Sequence, residues 1–321
     1  MGIILDNLSE LVGESLLGWI HDKTMWTYAL ISAIILLIAG YVTVGALLQI
    51  IPSQIDKIPQ TIISTILFIG LIVFIEVLIL LVIDYLVIKR ALELKGQKAI
   101  GLNIIRYLSL IVLHIATAIV AVLSLFKLKI LVVGITGIIV LMLGFIMFPL
   151  SIGNPSMFWV IILGVIFIIA GIILLAIYLV HVILNAIRLS LAYVAYVEEE
   201  RSIMASLKKS WDITKNDIDG IVFVWILIAV IVTVISTAVS IPAVIYIGAA
   251  SETAIEMNLS MISMDPLYWI LLIPSYIVSA YSVIVSGFMM TAMYTLLSKG
   301  KVIQTTPTLK PKEETFSQNQ R

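Results

Sequence analysis

The chain has 321 residues, of which 62% are hydrophobic and 12% charged, with a mean hydropathy of +1.19. A soluble domain is about 45–50% apolar and about 25% charged, and a folded chain of this size still exposes much of its surface, so lipid must be part of the solvent. This excludes a soluble enzyme, and the balance of 19 basic against 19 acidic residues offers no excess charge to nucleic acid.

Residues 1–23 carry no basic start, and Asp6, Glu10, Glu14 and Asp22 interrupt their apolar run, which excludes a signal peptide. Ile4, Leu8, Leu11, Val12, Leu16 and Trp19 recur at helical spacing, so the segment reads as an amphipathic interfacial helix. Seven long apolar segments follow, at 24–50, 61–88, 107–126, 130–150, 157–187, 220–248 and 267–297. Each reaches the roughly 20 residues that cross a bilayer as a helix. Nothing alternates with period two, so a barrel is excluded. The fold class is all-α: a polytopic helical membrane protein with about seven transmembrane helices, six being possible. The organisation is an amphipathic helix at 1–23, a transmembrane domain at 24–298 and a disordered polar tail at 299–321.

Lys and Arg mark the cytoplasmic side. The tail has five, the 188–219 stretch has five, and the link between the last two segments has none. The C-terminus of this multi-pass cell-membrane protein is therefore expected inside. Counting back places Lys127 and Lys129 inside and the uncharged 151–156 turn outside. The 89–106 link, with Lys89, Arg90, Lys95, Lys98 and Arg106, then falls outside if 107–126 crosses. Either that link breaks the rule, or one segment between 107 and 187 does not cross.

Arg188 to Asn216 reads RLSLAYVAYVEEERSIMASLKKSWDITKN. Ile203, Leu207, Trp211 and Thr214 form a helical stripe, with Glu198, Glu199 and Glu200 at its start and Lys208, Lys209 and Lys215 at its end. That order complements a helix dipole, and Trp211 suits a headgroup layer. The reading is an interfacial elbow helix near 198–216. Leu94 to Leu108 is a weaker copy, as a two-unit internal repeat would give. The stretch resembles the signature of a large group of prokaryotic membrane proteins related to the membrane domain of some glycerophosphodiester phosphodiesterases. Arg188, Glu198, Ser202, Leu207, Lys208, Ser210, Trp211, Thr214 and Lys215 stand at the signature positions, and Asn216 where that group more often has Gly. The resemblance covers about 29 residues and implies a membrane fold. No hydrolase domain accompanies it, so phosphodiesterase chemistry is not carried over.

Glu76 lies near the middle of the second segment and His114 near the middle of the third. Ionisable groups at that depth are paired or functional, and matched depth on consecutive helices predicts a Glu76–His114 contact. Asp84, His181, Asn185 and Arg188 lie nearer span ends, the last three on one helical face. The three histidines have no metal-ligand spacing, and no H-E-x-x-H, G-x-S-x-G or Walker loop is present. Without cysteine, disulfides and thiolate chemistry are excluded. Met257, Met261 and Met264 could hold Cu(I), but gap-filling is their commoner role, and no cofactor is expected. Asn258-Leu259-Ser260 is a glycosylation sequon. Gly134, Gly137, Gly164 and Gly171 suit close helix packing. Ser275, Ser279, Ser282 and Ser286 form a hydroxyl stripe facing Thr233, Ser236 or Thr237, and Ser240. Antiparallel packing predicts Ser240 opposite Ser275, Ser236 opposite Ser279 and Thr233 opposite Ser282. The function expected is non-enzymatic, in membrane assembly or envelope organisation, with a small-solute or ion transporter using Glu76 and His114 as the alternative. The lipid bilayer is the partner implied and nucleic acid is not, while the sequence names no protein partner or solute.

Overall fold

A computed structural model describes residues 2–48, 58–123, 128–151, 158–198, 202–253 and 266–299. The Met257/Met261/Met264 row, the Asn258 sequon, Glu199, Glu200 and nearly all of the 299–321 tail lie outside the described residues. The described chain is helical: α1 (Ile3–Asp6), α2 (Leu8–Leu17), α3 (Lys23–Leu48), α4 (Ile58–Leu94), α5 (Ile104–Leu123), α6 (Leu128–Ser151), α7 (Phe158–Glu198), α8 (Ile203–Thr214), α9 (Ile218–Thr253) and α10 (Pro266–Lys299). Seven of these, α3 to α7 with α9 and α10, are long and apolar enough to cross a membrane. The protein is an integral membrane protein of all-α class.

The helix ends follow local chemistry. Asp22 Oδ1 accepts from Met25 N at 3.1 Å before α3, and Asn103 Oδ1 from Arg106 N at 2.8 Å before α5, both N-caps that satisfy orphan donors. At the end of α4, Gly96 adopts φ +67, the left-handed cap open to glycine. Its N–H donates to Glu93 O and that of Gln97 to Leu92 O, each at 2.9 Å, the bond pair that closes a Schellman motif.

Helix directions follow from the contacts between helices. α3 and α10 are antiparallel, with Trp19, just before α3, tilted against Tyr281 at one end and Tyr41 meeting Trp269 edge-on at the other. A Cβ on Gly134 would meet Tyr178, on Gly137 Leu174 and on Gly171 Leu141, so α6 and α7 are antiparallel and glycine sets their close approach. α4, α7 and α10 end together: Gln97 Nε2 donates to Thr295 Oγ1, and Tyr294 OH to Glu198 Oε2. α1 and α2 lie on that same side, with Ile4 against Gly220 and Leu16 O accepting from Tyr281 OH at 3.0 Å. Thus α3, α6 and α9 lead away from this side, and α4, α7 and α10 return to it.

α5 fits neither direction. Tyr107, near its start, donates to Leu78 O in mid-α4. His114 and Thr117, two and three turns on, both reach Tyr193 near the end of α7. α5 therefore lies obliquely across α4 and α7. Leu110, Leu113, Thr117 and Ala121 face inward, while Ile104, Leu108, Val112, Ile115 and Ile119 are exposed.

Burial is concentrated on the side where α4, α7 and α10 end. Tyr85, Leu92, Leu191, Val197, Met293 and Tyr294 are among the buried residues of that core. The opposite halves of the long helices expose rows of Ile, Leu and Val, as lipid contact requires.

Two sequence expectations change here. Ser240 and Ser275 hydroxyls meet across α9 and α10 at 2.9 Å, but Thr233 and Ser279 are exposed, and Ser279 and Ser282 bond carbonyls of their own helix. The hydroxyl ladder therefore has one cross-helix rung, because an intrahelical carbonyl is always in reach of a Ser. The elbow helix begins at Ile203 rather than 198: Ser202 caps it through Ala205 N at 3.3 Å, and Glu198 is the last residue of α7.

Candidate functional site

Two polar assemblies occupy the buried side, a knot around α8 and a cavity beneath it. In the knot, Ser206, Leu207, Ser210 and Thr214 form the buried face of α8. The Ser210 hydroxyl donates to Arg188 O at 2.5 Å, and the Arg188 guanidinium lies 5.1 Å from the centre of the Trp211 ring. Lys209 stands 4.0 Å from Glu198 and 5.1 Å from the Tyr294 ring centre. Arg188, Glu198, Ser210 and Trp211 thus join α7, α8 and α10. These are structural contacts: cation–π and charge-assisted bonds that hold an elbow in place. Asn185 is buried below Arg188. His181 Nδ1 lies 3.3 Å from Ile177 O on its own helix.

The cavity, of about 250 Å³, is lined by α4, α5, α7, α9 and α10. α4 contributes Leu81, Asp84, Tyr85 and Ile88; α5 contributes His114; α7 contributes Ser190 and Tyr193; α9 contributes Trp225; α10 contributes Ser286. Its walls are mostly apolar. Tyr85 OH donates to Ile100 O at 2.8 Å, Ser190 Oγ to Ile187 O at 2.7 Å and Ser286 Oγ to Val283 O at 2.8 Å. Tyr193 OH and His114 Nδ1 are 2.6 Å apart. Asp84 makes no hydrogen bond or ion pair among the described residues.

The Glu76–His114 contact is replaced by His114–Tyr193. Glu76 stands near the Tyr276 phenol of α10 and has no bonded partner among the described residues. The depth match assumed that 107–126 runs upright beside α4. Because α5 lies obliquely, His114 arrives beside Asp84, eight residues and about 12 Å further along α4. Tyr193 falls in the basic 188–219 stretch that reads as lying outside the lipid, so sequence alone does not single it out. The available signal was helical spacing: Ser190, Tyr193 and Val197, at i, i+3 and i+7, continue one inward face of α7.

Among the described residues, no group of three or more His, Cys, Asp or Glu could hold a metal ion. No family model, curated protein or solved structure matches this chain.

Proposed function

We propose that this is a non-enzymatic membrane protein that binds a small solute in the five-helix cavity, as a carrier or a receptor. One observation carries the reading: the Asp84 carboxylate opens into an apolar cavity with no bonded partner among the described residues. Such a group is costly to bury alone, and convergent polar groups in an otherwise apolar pocket are the usual mark of a ligand site. The solute path passes Asp84 and His114, not Glu76. The test is to purify the full chain and its Ser286→Leu variant in mild detergent and compare retained small molecules by mass spectrometry. A compound kept in roughly stoichiometric amount by the parent chain and lost from the filled cavity supports the reading. Identical small-molecule content in both would sink it.

The sidedness belongs to the same reading. Six helices cross, α5 lies in one leaflet, and both termini face the cytoplasm. The 89–106 link, Lys127 and Lys129, the 188–219 stretch and the tail then share one side, and the basic-residue rule holds throughout. The Arg188–Asn216 resemblance is compatible with this placement, since the motif residues meet in the knot on that side.

Envelope organisation is favoured by a different feature. α6 packs chiefly on α7, and the hairpin exposes Ile138, Met142, Phe145, Ile166, Ile169 and Ile173. A membrane partner there would co-purify with the chain, and a homogeneous free monomer in native lipid discs would refute it.

A further inference from the structure

The hydrogen-bonding inventory of the cavity restricts what can enter it. A hydroxyl has one proton and two lone pairs. The protons of Ser190, Ser286 and Tyr85 are each spent on a main-chain carbonyl. With the imidazole proton on Nε2, the Tyr193 phenol spends its proton on His114 Nδ1. The Ser190 and Ser286 oxygens therefore have lone pairs left to offer and Asp84 adds a carboxylate, whereas the Tyr85 oxygen is answered by Arg106 and Tyr193 also meets Thr117. The Trp225 indole N–H is buried in the wall without a partner among the described residues. Acceptors outnumber donors, and the sole formal charge among the wall residues, with His114 neutral, is negative. The remaining walls are apolar or aromatic, with Tyr85, Tyr193 and Trp225 contributing rings.

Resting on the solute-binding reading above, we infer that the occupant is an organic ammonium ion: a protonated amine on a compact apolar body. Its N–H groups would be donated to Asp84 and the serine oxygens, its charge would be compensated by the carboxylate, and its carbon would cover the aliphatic and aromatic walls. Rings beside a desolvated ammonium add to its attraction. A bare metal ion leaves most of about 250 Å³ empty against apolar walls, and an anion meets the Asp84 carboxylate while the guanidinium nearest the wall, Arg106, is engaged by Tyr85. A neutral alcohol offers one donor where several acceptors wait.

The probes are 2-phenylethylammonium, cyclohexylammonium and n-hexylammonium, matched with 2-phenylethanol, cyclohexanol and n-hexanol, and sodium and magnesium chloride as separate arms. Binding to the purified full chain in nanodiscs is read by calorimetry and by the rise in unfolding temperature. At least one ammonium should bind saturably, roughly tenfold or more tighter than its alcohol, because an unanswered buried charge is costly. Asp84→Asn should remove that preference. Should Asp84→Asn fail to fold, Ser286→Leu and Ser190→Leu, which fill the cavity without touching the carboxylate, should each abolish ammonium binding. Alcohols binding as tightly as amines, with Ser286→Leu blocking both, would overturn the ligand class and leave solute binding standing. Saturable sodium or magnesium binding lost in Asp84→Asn, without amine binding, would also overturn it. No saturable binding of any probe, together with identical retained small molecules in parent and filled chains, would overturn both readings.

Discussion

The polar residues of this chain fall into those that are answered and those that are not. Asp22 is the clearest answered carboxylate: Arg90 Nε and Nη2 reach its Oδ2 at 3.0 and 2.7 Å, and Met25 N its Oδ1. Burial pushes its carboxyl up, but the Arg90 bonds and the cap outweigh this and hold it below its ordinary value. A depressed folded-state pKa means the stabilisation is present above the unfolded value, near pH ~3.9, and is lost as pH falls through the lower folded value. Arg90 is partly exposed, so screening limits the contribution to about 1 kcal/mol. Unfolding in detergent, followed downward from pH 7, should show Asp22→Asn less stable at neutral pH, with the gap to the parent narrowing as pH falls below ~3.9. A constant gap across that range would mean the ion pair is not the cause. Asp84 and Glu76 belong to the unanswered class, and their sequence context did not distinguish them: both are single carboxylates in one apolar helix. What separates them is the oblique approach of α5, a tertiary fact that spacing along α4 does not encode.

Elements were far more legible than their arrangement. The apolar segments read at 24–50, 130–150, 220–248 and 267–297 correspond to α3, α6, α9 and α10, because bilayer thickness imposes a minimum run of apolar residues on any crossing helix. The fifth segment continues as helix through Arg188 to Glu198, since its last three turns are covered by α8 and α10 rather than by lipid. The segment read at 107–126 is α5, long and apolar enough to cross, and a helix held in one leaflet, as proposed above, would carry the same hydropathy. Its inward row of Leu110, Leu113, Thr117 and Ala121 is the one feature that marks a fixed face. The orientation is checked by single cysteines in this cysteine-free chain. Lys98→Cys and Met204→Cys, both exposed, should react with an impermeant maleimide from the cytoplasmic side only. Ser251→Cys, in the last turn of α9, should react from outside only. Labelling of Lys98→Cys together with Ser251→Cys would place α5 upright across the membrane and end the six-span arrangement.

At the scale of the whole molecule, the chain is tied together on one side and open on the other. The N-terminal apolar stripe, expected to lie in the headgroups, instead turns Ile4, Leu11 and Trp19 into protein, with α1 and α2 separated at Asn7. Charge as well as packing closes this side: Lys95, just past α4, pairs with Glu14 of α2, and both side chains are largely buried. This contact joins α2 to the loop that leads into α5, so it couples the N-terminal segment to the wall of the cavity. A buried pair broken on one side leaves a charge unanswered, at a cost of about 3–5 kcal/mol. Glu14→Lys and Lys95→Glu should therefore each lower the unfolding temperature in detergent, since each sets two like charges together. The double exchange restores opposite charges at the same two positions and should recover most of the loss. The same variants report on the cavity: if α2 steadies the α4–α5 loop, each single exchange should weaken ammonium binding and the double exchange should restore it. Losses that simply add in the double variant would show that Glu14 and Lys95 do not act as a pair. Recovery of stability without recovery of binding would confine the pair to holding the N-terminal segment, with no influence on α5.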